Sequence, residues 1–311
     1  MRFFSYGELT RAPGGGVIAL GFFDGVHIAH RRLLSEANER ARKMGVPFGI
    51  FTFRAESGIK KGAPRLYSTE ERIELFESTG ADFAIVADFC EISSLSAEEF
   101  VKNVLIEGLG AAVAFAGYNF RFGRGAMGNA DKLSALMRAH GGDAVICEEI
   151  TSEGEAVSAT VIRSLIEAGE IESANRLLGA PYFLRGRVIR GNGQGRSLGF
   201  PTVNTSLEEG RVVPRLGVYR SLVRIDGRLY NGVTNVGRCP TFGKREIHAE
   251  TYIIDFHGDI YGESVTVYLV GYLREEKTFE SADALIMQIE VDKNITIKKN
   301  EEEKWQELGL K

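Results

Sequence analysis

Cysteine is scarce: 311 residues contain only Cys90, Cys147 and Cys239, far apart and never spaced as Cys-x-x-Cys. That excludes a disulfide framework or a structural zinc cluster and points to a reducing, cytoplasmic setting. Long apolar runs are missing too. The longest weakly polar stretch, residues 108–117, has ten residues where a spanning helix needs about 20, so no membrane span is expected. The amino terminus, Met1-Arg-Phe-Phe-Ser-Tyr-Gly-Glu8, puts an acidic residue where a secretory signal would continue its apolar core. Neither sign of charge dominates. With 38 Lys+Arg against 42 Asp+Glu the net charge is −4, and no global field gathers nucleic acid or anionic lipid. Any anion must be held locally, and no obligatory protein partner is evident. No repeat recurs at a solenoid period. Glycine is what the chain has in excess, 37 copies, about 12% against a usual figure near 7%. Many positions must therefore turn sharply or approach a ligand closely.

The length points to two domains. Residues 16–23 form an apolar run ending in a glycine turn, followed by Ala29, Leu33, Leu34, Ala37, Ala41 and Met44 at helical spacing. The strand, loop, helix pattern recurs. Strands are predicted over 47–53, 83–87, 111–116 and 144–147, and helices open on the capping boxes Ser68/Glu71 and Ser96/Glu99. Alternation to about residue 178 predicts a parallel sheet with helices on both faces and a ligand at the carboxyl ends of its strands. After Pro181 the runs 218–225, 248–256 and 264–270 are short and β-rich, separated by turns at Asp226-Gly227, Gly232, Gly237 and His257-Gly258. They predict a small antiparallel barrel. A helix over 281–291 and a charged, solvated tail bearing the single Trp305 complete the chain.

Chemistry concentrates first in Gly21-Phe-Phe-Asp24-Gly25-Val-His27-Ile-Ala29-His30, where the first strand hands over to its helix. Backbone amides and a helix dipole meet an anion there. His27 and His30 share a helical face, and two imidazoles can bind polyphosphate oxygens and stabilise developing charge. A zinc pair competes, but no further ligands are placed to complete it. Two incidental histidines are the plain alternative. The segment resembles the His-x-Gly-His motif of the nucleotidyltransferase superfamily, with Ala29 for its Gly, and in longer form the start of the bacterial bifunctional riboflavin kinase/FMN adenylyltransferases. Gly117-Tyr-Asn119-Phe-Arg121-Phe-Gly123 is similar to that family's loop after the fourth strand. Val157-Ser158-Ala159-Thr160-Val-Ile-Arg163 resembles its Ser-Ser-Thr-x-x-Arg motif, and Phe53-Arg54-Ala55-Glu56 stands where many relatives carry Pro-His-Pro. The resemblance implies that His27 and His30 are catalytic at the ATP phosphates. It implies that Asp24, Ser158, Thr160 and Arg163 bind ATP, and that Asn119 and Arg121 hold the flavin. Taken alone, Ser158 reads as a helix cap and Arg163 as a solvated side chain.

A second constellation starts with Arg185, Gly186, Arg187, Arg190, Gly191, Gly193, Gly195 and Arg196, with no acidic residue between Tyr182 and Thr205. It marks a local anion site, although its spacing is not that of a P-loop and a plain hairpin would have the same glycines. Leu198-Gly-Phe-Pro201-Thr202-Val-Asn204 then resembles the Pro-Thr-Ala-Asn motif of riboflavin kinases. The likeness continues through Gly217-Val-Tyr219, Asn235-Val-Gly237, Pro240-Thr-Phe242, Glu250 to Phe256, Tyr261-Gly262 and Leu273 to Phe279. It implies Thr202 and Asn204 as hard oxygen ligands of the Mg²⁺ bound to ATP, and Glu250 as general base on the flavin ribityl hydroxyl. It further implies Gly191, Gly193, Gly195 and Arg196 at ATP and Arg274 at the flavin. An outward-facing strand residue is the alternative for Glu250.

The expected fold class is α/β: a Rossmann-like nucleotidyltransferase domain over 1–180, then a Greek-key antiparallel β-barrel kinase domain over 183–292 with a carboxy-terminal helix, and a charged helical tail over 293–311. The expected function is FAD synthesis in two steps, riboflavin and ATP giving FMN, then FMN and ATP giving FAD and pyrophosphate, with Mg²⁺ in attendance. Two alternatives stay open: a kinase alone, its first domain reduced to nucleotide or flavin binding, and a non-catalytic flavin- or nucleotide-sensing module. Thr202, Asn204 and Glu250 together speak against the sensor, because binding alone needs no base.

Overall fold

Strand alternation builds the first layer of the computed structural model, which describes residues 1–55, 63–152, 154–189, 195, 198–241 and 244–303. The chain divides into two compact units, Met1–Ala159 and Thr160–Lys311. In the first, β1 (Arg2–Ser5), β2 (Val17–Leu20), β3 (Phe48–Phe53), β4 (Phe83–Ala87), β5 (Val113–Gly117) and β6 (Asp143–Cys147) form one parallel sheet. Its order is β1-β4-β3-β2-β5-β6. Val17 and Ala19 of β2 pack with Leu33, Leu34 and Ala37 of α1 (Ile28–Met44), whereas Ile18 and Leu20 pack with Phe100, Val104 and Leu105 on the opposite face. Both faces are thus covered, as near-continuous apolar strands require.

Both expected capping boxes are present. In α2 (Thr69–Glu77), Ser68 accepts from the Glu71 N–H at 3.2 Å and Glu71 from the Ser68 N–H at 2.9 Å. After the single-turn α3 (Phe89–Ile92), Ser96 and Glu99 cap α4 (Ala97–Glu99) in the same way, and α4 runs on as π-wound helix over Phe100–Gly108. β1 and the small hairpin of β7 (Thr151–Ser152) with β8 (Glu155–Ala156) are additions to the predicted elements. α5 (Ala130–Ala139) precedes β6. The order reverses between β2 and β5, where Leu20 lies opposite Ala116, so the loops leaving these strands open side by side at a topological switch point.

The second unit begins earlier than the boundary expected at 180. It includes α6 (Ala159–Ala168) from Thr160 onward and α7 (Ile171–Leu178). The reason is polar. The buried carboxamide of Asn175 donates to the Leu269 carbonyl at 2.9 Å and accepts from the Tyr182 N–H at 2.7 Å, tying α7 to the β-rich unit. There β9 (Tyr182–Arg187), β10 (Thr202–Ser206), β11 (Gly217–Ile225), β12 (Arg228–Thr241), β13 (Lys244–Ile253) and β14 (Ser264–Arg274) pair antiparallel in the order β10-β13-β12-β11-β14-β9. The edges curl towards one another into a half-barrel, and Ile189 N–H donates to the Asn204 carbonyl at 2.9 Å. Ser221, Thr234 and Thr251 form a buried hydroxyl ladder, with oxygens 2.8 and 2.9 Å apart.

Two expectations are corrected here. Gly232 and Gly237 are not turns but lie inside β12. A Cβ on Gly232 would sit 2.8 Å from Ser221 Oγ, and one on Gly237 would sit 2.4 Å from Glu276 Oε1, so neighbours fill their side-chain space. Asp226-Gly227 does turn the β11–β12 hairpin, at φ +46° and +78°. The last helix, α8 (Ala282–Glu302), runs straight through the boundary expected at 292, and its Asp292, Thr296 and Asn300 are buried. One stripe of it is therefore packed, while Lys298, Lys299, Glu301 and Glu302 are exposed as expected of the charged run. Arg220, 2% exposed, donates to Asn300 Oδ1 at 3.0 Å and Glu303 Oε1 at 2.6 Å. Trp305 lies outside the described residues.

Candidate functional site

The loop leaving β2 is strained and tightly pinned. Phe23 (φ +54°) and Val26 (φ +43°) both occupy the left-handed region, which a β-branched side chain rarely enters, and Gly25 sits at +84°. The Phe22 carbonyl accepts from Thr52 Oγ1 at 3.0 Å and from Arg72, whose guanidinium also reaches the Phe53 carbonyl at the end of β3. Arg72 is 1% exposed, and its guanidinium carbon lies 4.6 Å from the Phe22 ring centroid. The Asp24 carboxylate, expected at ATP, is turned inward: it is buried and accepts the Leu66 N–H at 3.0 Å. Its internal partner fixes the loop, as a buried carboxylate requires.

His27 ends this loop and caps α1, its Nδ1 accepting the His30 N–H at 3.4 Å. The two rings stack at 3.6 Å with 17° between planes, and Phe23 meets His30 edge-on. Burial pushes the His27 imidazole down to about 4. Burial, then the His27 ring and the Arg72 guanidinium, hold His30 well below its ordinary range. Both rings are neutral at pH 7. With Nδ1 of His27 an acceptor, its proton resides on Nε2, a donor at the positive end of a helix. From the adjacent strand end, β5, come Asn119 and Arg121, both exposed. Tyr118, between Gly117 and Asn119, donates to the Glu149 carboxylate. Arg54, after β3, pairs with Asp88 at 3.3 Å; Glu56 lies outside the described residues.

Of the next predicted group, Ser158 immediately precedes α6 and is half-buried. Thr160 and Arg163 meet one turn apart on α6, where Arg163 donates to Thr160 Oγ1 at 3.2 Å.

In the half-barrel the predicted kinase residues come together. Asn204 of β10 lies opposite Glu250 of β13, which lies opposite Asn235 of β12, so all three project from one face. Thr202, two residues from Asn204 on that face, donates its hydroxyl to Glu250 Oε1 at 2.6 Å. Gly195 backs onto Thr202: a Cβ there would sit 3.2 Å from Thr202 Oγ1 and 2.4 Å from the Phe200 carbonyl. Gly191, Gly193 and Arg196 lie outside the described residues. Beside Thr202 and Asn204 opens a cleft of about 130 Å³ walled by Val188, Ile253, Phe256 and Ile260, with Asp259 and Tyr261 at its lining.

Arg274 does not join this group as a free flavin contact. Its guanidinium forks onto the buried Asp292 carboxylate of α8, at 3.0 and 2.8 Å from Oδ2, and lies 5.8 Å from the Phe279 ring centroid. Pairing across eighteen residues and two elements leaves no local pattern by which the sequence could announce it. Sequence reasoning also gave no role to Arg72, Asn235, Glu276 or the cleft at 253–261. Arg72 follows the Ser68/Glu71 capping box directly, and a charged residue on the helix face nearest the strand ends is the signal that could have found it.

Comparison with known proteins gives consistent findings. Residues 9–161 match the FAD synthetase family and residues 178–299 the riboflavin kinase family. A bifunctional riboflavin kinase/FMN adenylyltransferase of Bacillus subtilis is 32% identical over 291 residues, 91% of this chain and 92% of its own length. One of the same description from Listeria monocytogenes is 35% identical over 289 residues, 90% of this chain and 91% of its own. Among solved structures, a chain from Streptococcus pneumoniae described as a macrolide-efflux protein superposes with a TM-score of 0.86 at 31% identity, over 95% of this chain and 99% of that one. Among the described residues here, no helix is long and apolar enough to cross a membrane.

Proposed function

The chain belongs to the family of bifunctional riboflavin kinases/FMN adenylyltransferases, and from that premise we propose how its residues divide the synthesis of FAD. The enzyme phosphorylates riboflavin with ATP and transfers the adenylyl group of a second ATP to the resulting FMN. The half-barrel unit is the kinase and the parallel-sheet unit the adenylyltransferase.

For the kinase, the observation that carries the reading is Glu250 facing Asn204 across the strands and accepting the Thr202 hydroxyl on the same sheet face. Glu250 takes the proton of the terminal ribityl hydroxyl as that oxygen attacks the γ-phosphorus of ATP and the bond to the β,γ-bridging oxygen breaks, releasing ADP. Thr202 fixes the orientation of the base while its hydroxyl oxygen keeps a lone pair for a cation. A hydroxyl and a carboxamide oxygen fit Mg²⁺, which takes hard oxygens and shares its coordination between phosphates and few protein groups. Among the described residues no cluster of three or more His, Cys, Asp or Glu could hold a metal by itself. Bound to Thr202, Asn204 and the phosphates, Mg²⁺ would neutralise charge on the transferring group. The purine of ATP takes the apolar cleft of Val188, Ile253, Phe256 and Ile260. Gly195, behind Thr202, stands beside its phosphates, and the motif resemblance carries Gly191, Gly193 and Arg196 to the same role.

For adenylyl transfer, a phosphate oxygen of FMN attacks the α-phosphorus of ATP and pyrophosphate leaves. His27 and His30 donate N–H groups to the phosphates from the mouth of α1, where the helix dipole adds to them. Their neutrality suits donors that gain most as charge builds on the leaving pyrophosphate. Asp24 and Arg72 hold the loop in its strained form. Ser158 offers its hydroxyl to triphosphate oxygens, and Asn119 and Arg121 hold FMN from the neighbouring strand end. The unpaired thiols of Cys90 and Cys147 favour a cytoplasmic setting.

Incubating the purified chain with MgCl₂, ATP and riboflavin, and separately with FMN, and resolving FMN from FAD by chromatography tests both halves. FMN without FAD in both mixtures leaves the kinase alone; neither product returns the chain to a binding role.

A further inference from the structure

One residue in the row that crosses the sheet at Glu250 has no part in the reading above. Asn235 stands opposite Glu250 on the side away from Asn204. Its Nδ2 donates to the Glu276 carboxylate at 3.0 Å, and its Oδ1 is buried with no hydrogen-bond partner among the described residues. A carboxylate only accepts, so Glu276 fixes which end of the carboxamide faces it and turns the other end into a committed acceptor. Space for this contact exists because residue 237 is glycine: a Cβ would lie 2.4 Å from Glu276 Oε1 and 3.2 Å from Asn235 Nδ2. A buried acceptor left without a donor is costly and calls for an explanation.

We propose that Asn235 Oδ1 accepts a hydrogen bond from a ribityl hydroxyl other than the one phosphorylated, and thereby selects flavins that carry a polyol chain. The inference rests on the kinase reading of Glu250. Side chains directly opposite on paired strands stand about 4.5–5.5 Å apart at Cβ. A chain of hydroxyls laid across the row therefore meets the base with one member and the fixed acceptor with another. Asn235 makes or breaks no bond in the reaction; it discriminates, because a site built to receive a hydroxyl rejects the analogue that lacks it. Glu276 is the positioning residue, acting only through the carboxamide it orients.

The experiment uses the full chain and two flavins: riboflavin as substrate, and lumiflavin, with the same ring but a methyl in place of the ribityl chain, as competitive inhibitor. Asn235→Leu should raise the riboflavin KM at least tenfold while leaving the ATP KM and the lumiflavin inhibition constant within about twofold. Glu276→Gln, at an exposed position, can donate as well as accept, so it releases the carboxamide and should raise the riboflavin KM in the same direction by less. An unchanged riboflavin KM in Asn235→Leu overturns the inference, as does a riboflavin KM and lumiflavin constant that rise together, which marks a purely structural role. Should Asn235→Leu fail to fold by circular dichroism, Glu276→Gln decides alone, and an unchanged KM there overturns the inference. A wild-type chain that does not phosphorylate riboflavin overturns the kinase reading itself, a separate result.

Discussion

His27 and His30 stack ring on ring at 3.6 Å while the first caps the helix by accepting the second's backbone N–H. The pair is therefore folded in the neutral form, with His27 down at about 4 and His30 well below its ordinary range. An unfolded imidazole titrates near 6.5, so below that pH the unfolded chain binds protons that the folded chain refuses. The stability this contributes is complete above about pH 6.5 and is lost as pH falls towards 4. The thermal unfolding temperature of the chain should fall over that window, and less steeply in His27→Gln. Equal slopes in the two would place the loss at other groups.

Glu250→Gln keeps the shape of the acceptor for Thr202 and removes the base. FMN formation should drop by roughly 10²–10⁴ with ATP binding little changed, as read by initial rates and by calorimetric titration of Mg·ATP. A rate within threefold of wild type would sink the assignment.

Thr202→Ser preserves a hydroxyl for Glu250 and for a cation, whereas Thr202→Val preserves only the volume. Serine should retain most kinase activity, and valine should lose it and shift the Mg²⁺ dependence to higher concentration. A valine variant with the wild-type Mg²⁺ curve would dissociate Thr202 from the metal.

Arg274 and Asp292 form a largely buried ion pair, with side chains 15% and 3% exposed. Asp292→Ala strands the guanidinium and should cost about 3–5 kcal/mol in urea unfolding, whereas replacing both by Met and Leu should recover most of that loss. Recovery of stability without recovery of FMN formation would return Arg274 to the flavin site, against the geometry seen here.

A fragment that starts at Thr160 should phosphorylate riboflavin and melt higher than one that starts at Gly179. The shorter piece lacks Asn175, leaving the Leu269 carbonyl and Tyr182 N–H without their buried partner. Each such loss costs about 1–3 kcal/mol. Equal melting temperatures would show that α7 is dispensable to the half-barrel.

The parallel sheet was legible because its signals are local: capping boxes at Ser68 and Ser96, and helical spacing from Ala29 to Met44. Thr202, Asn204 and Glu250 were legible through their motif resemblance, and the register brings them together. What escaped is non-local. Gly232 and Gly237 look like turns until Ser221 and Glu276 are seen filling the space beside them. β1, four residues without alternating burial, carries no period to read. Arg274 reads as a ligand residue until its partner, eighteen positions on, is brought over it by α8. A charged run such as that after Lys293 reads as solvated unless the buried guanidinium of Arg220 is known to need Asn300 and Glu303.

That last dependence sets an order of events during synthesis. Chains emerge amino terminus first, and domains close as their parts become available. All six strands of the parallel sheet have been made once residue 147 is out. The half-barrel, by contrast, owes two partners of Arg220 to residues 300 and 303 and the carboxylate partner of Arg274 to residue 292. Its kinase face can mature only after residue 303 has emerged, so a chain stalled or cut short of that point yields a closed parallel-sheet unit trailing an unsealed one.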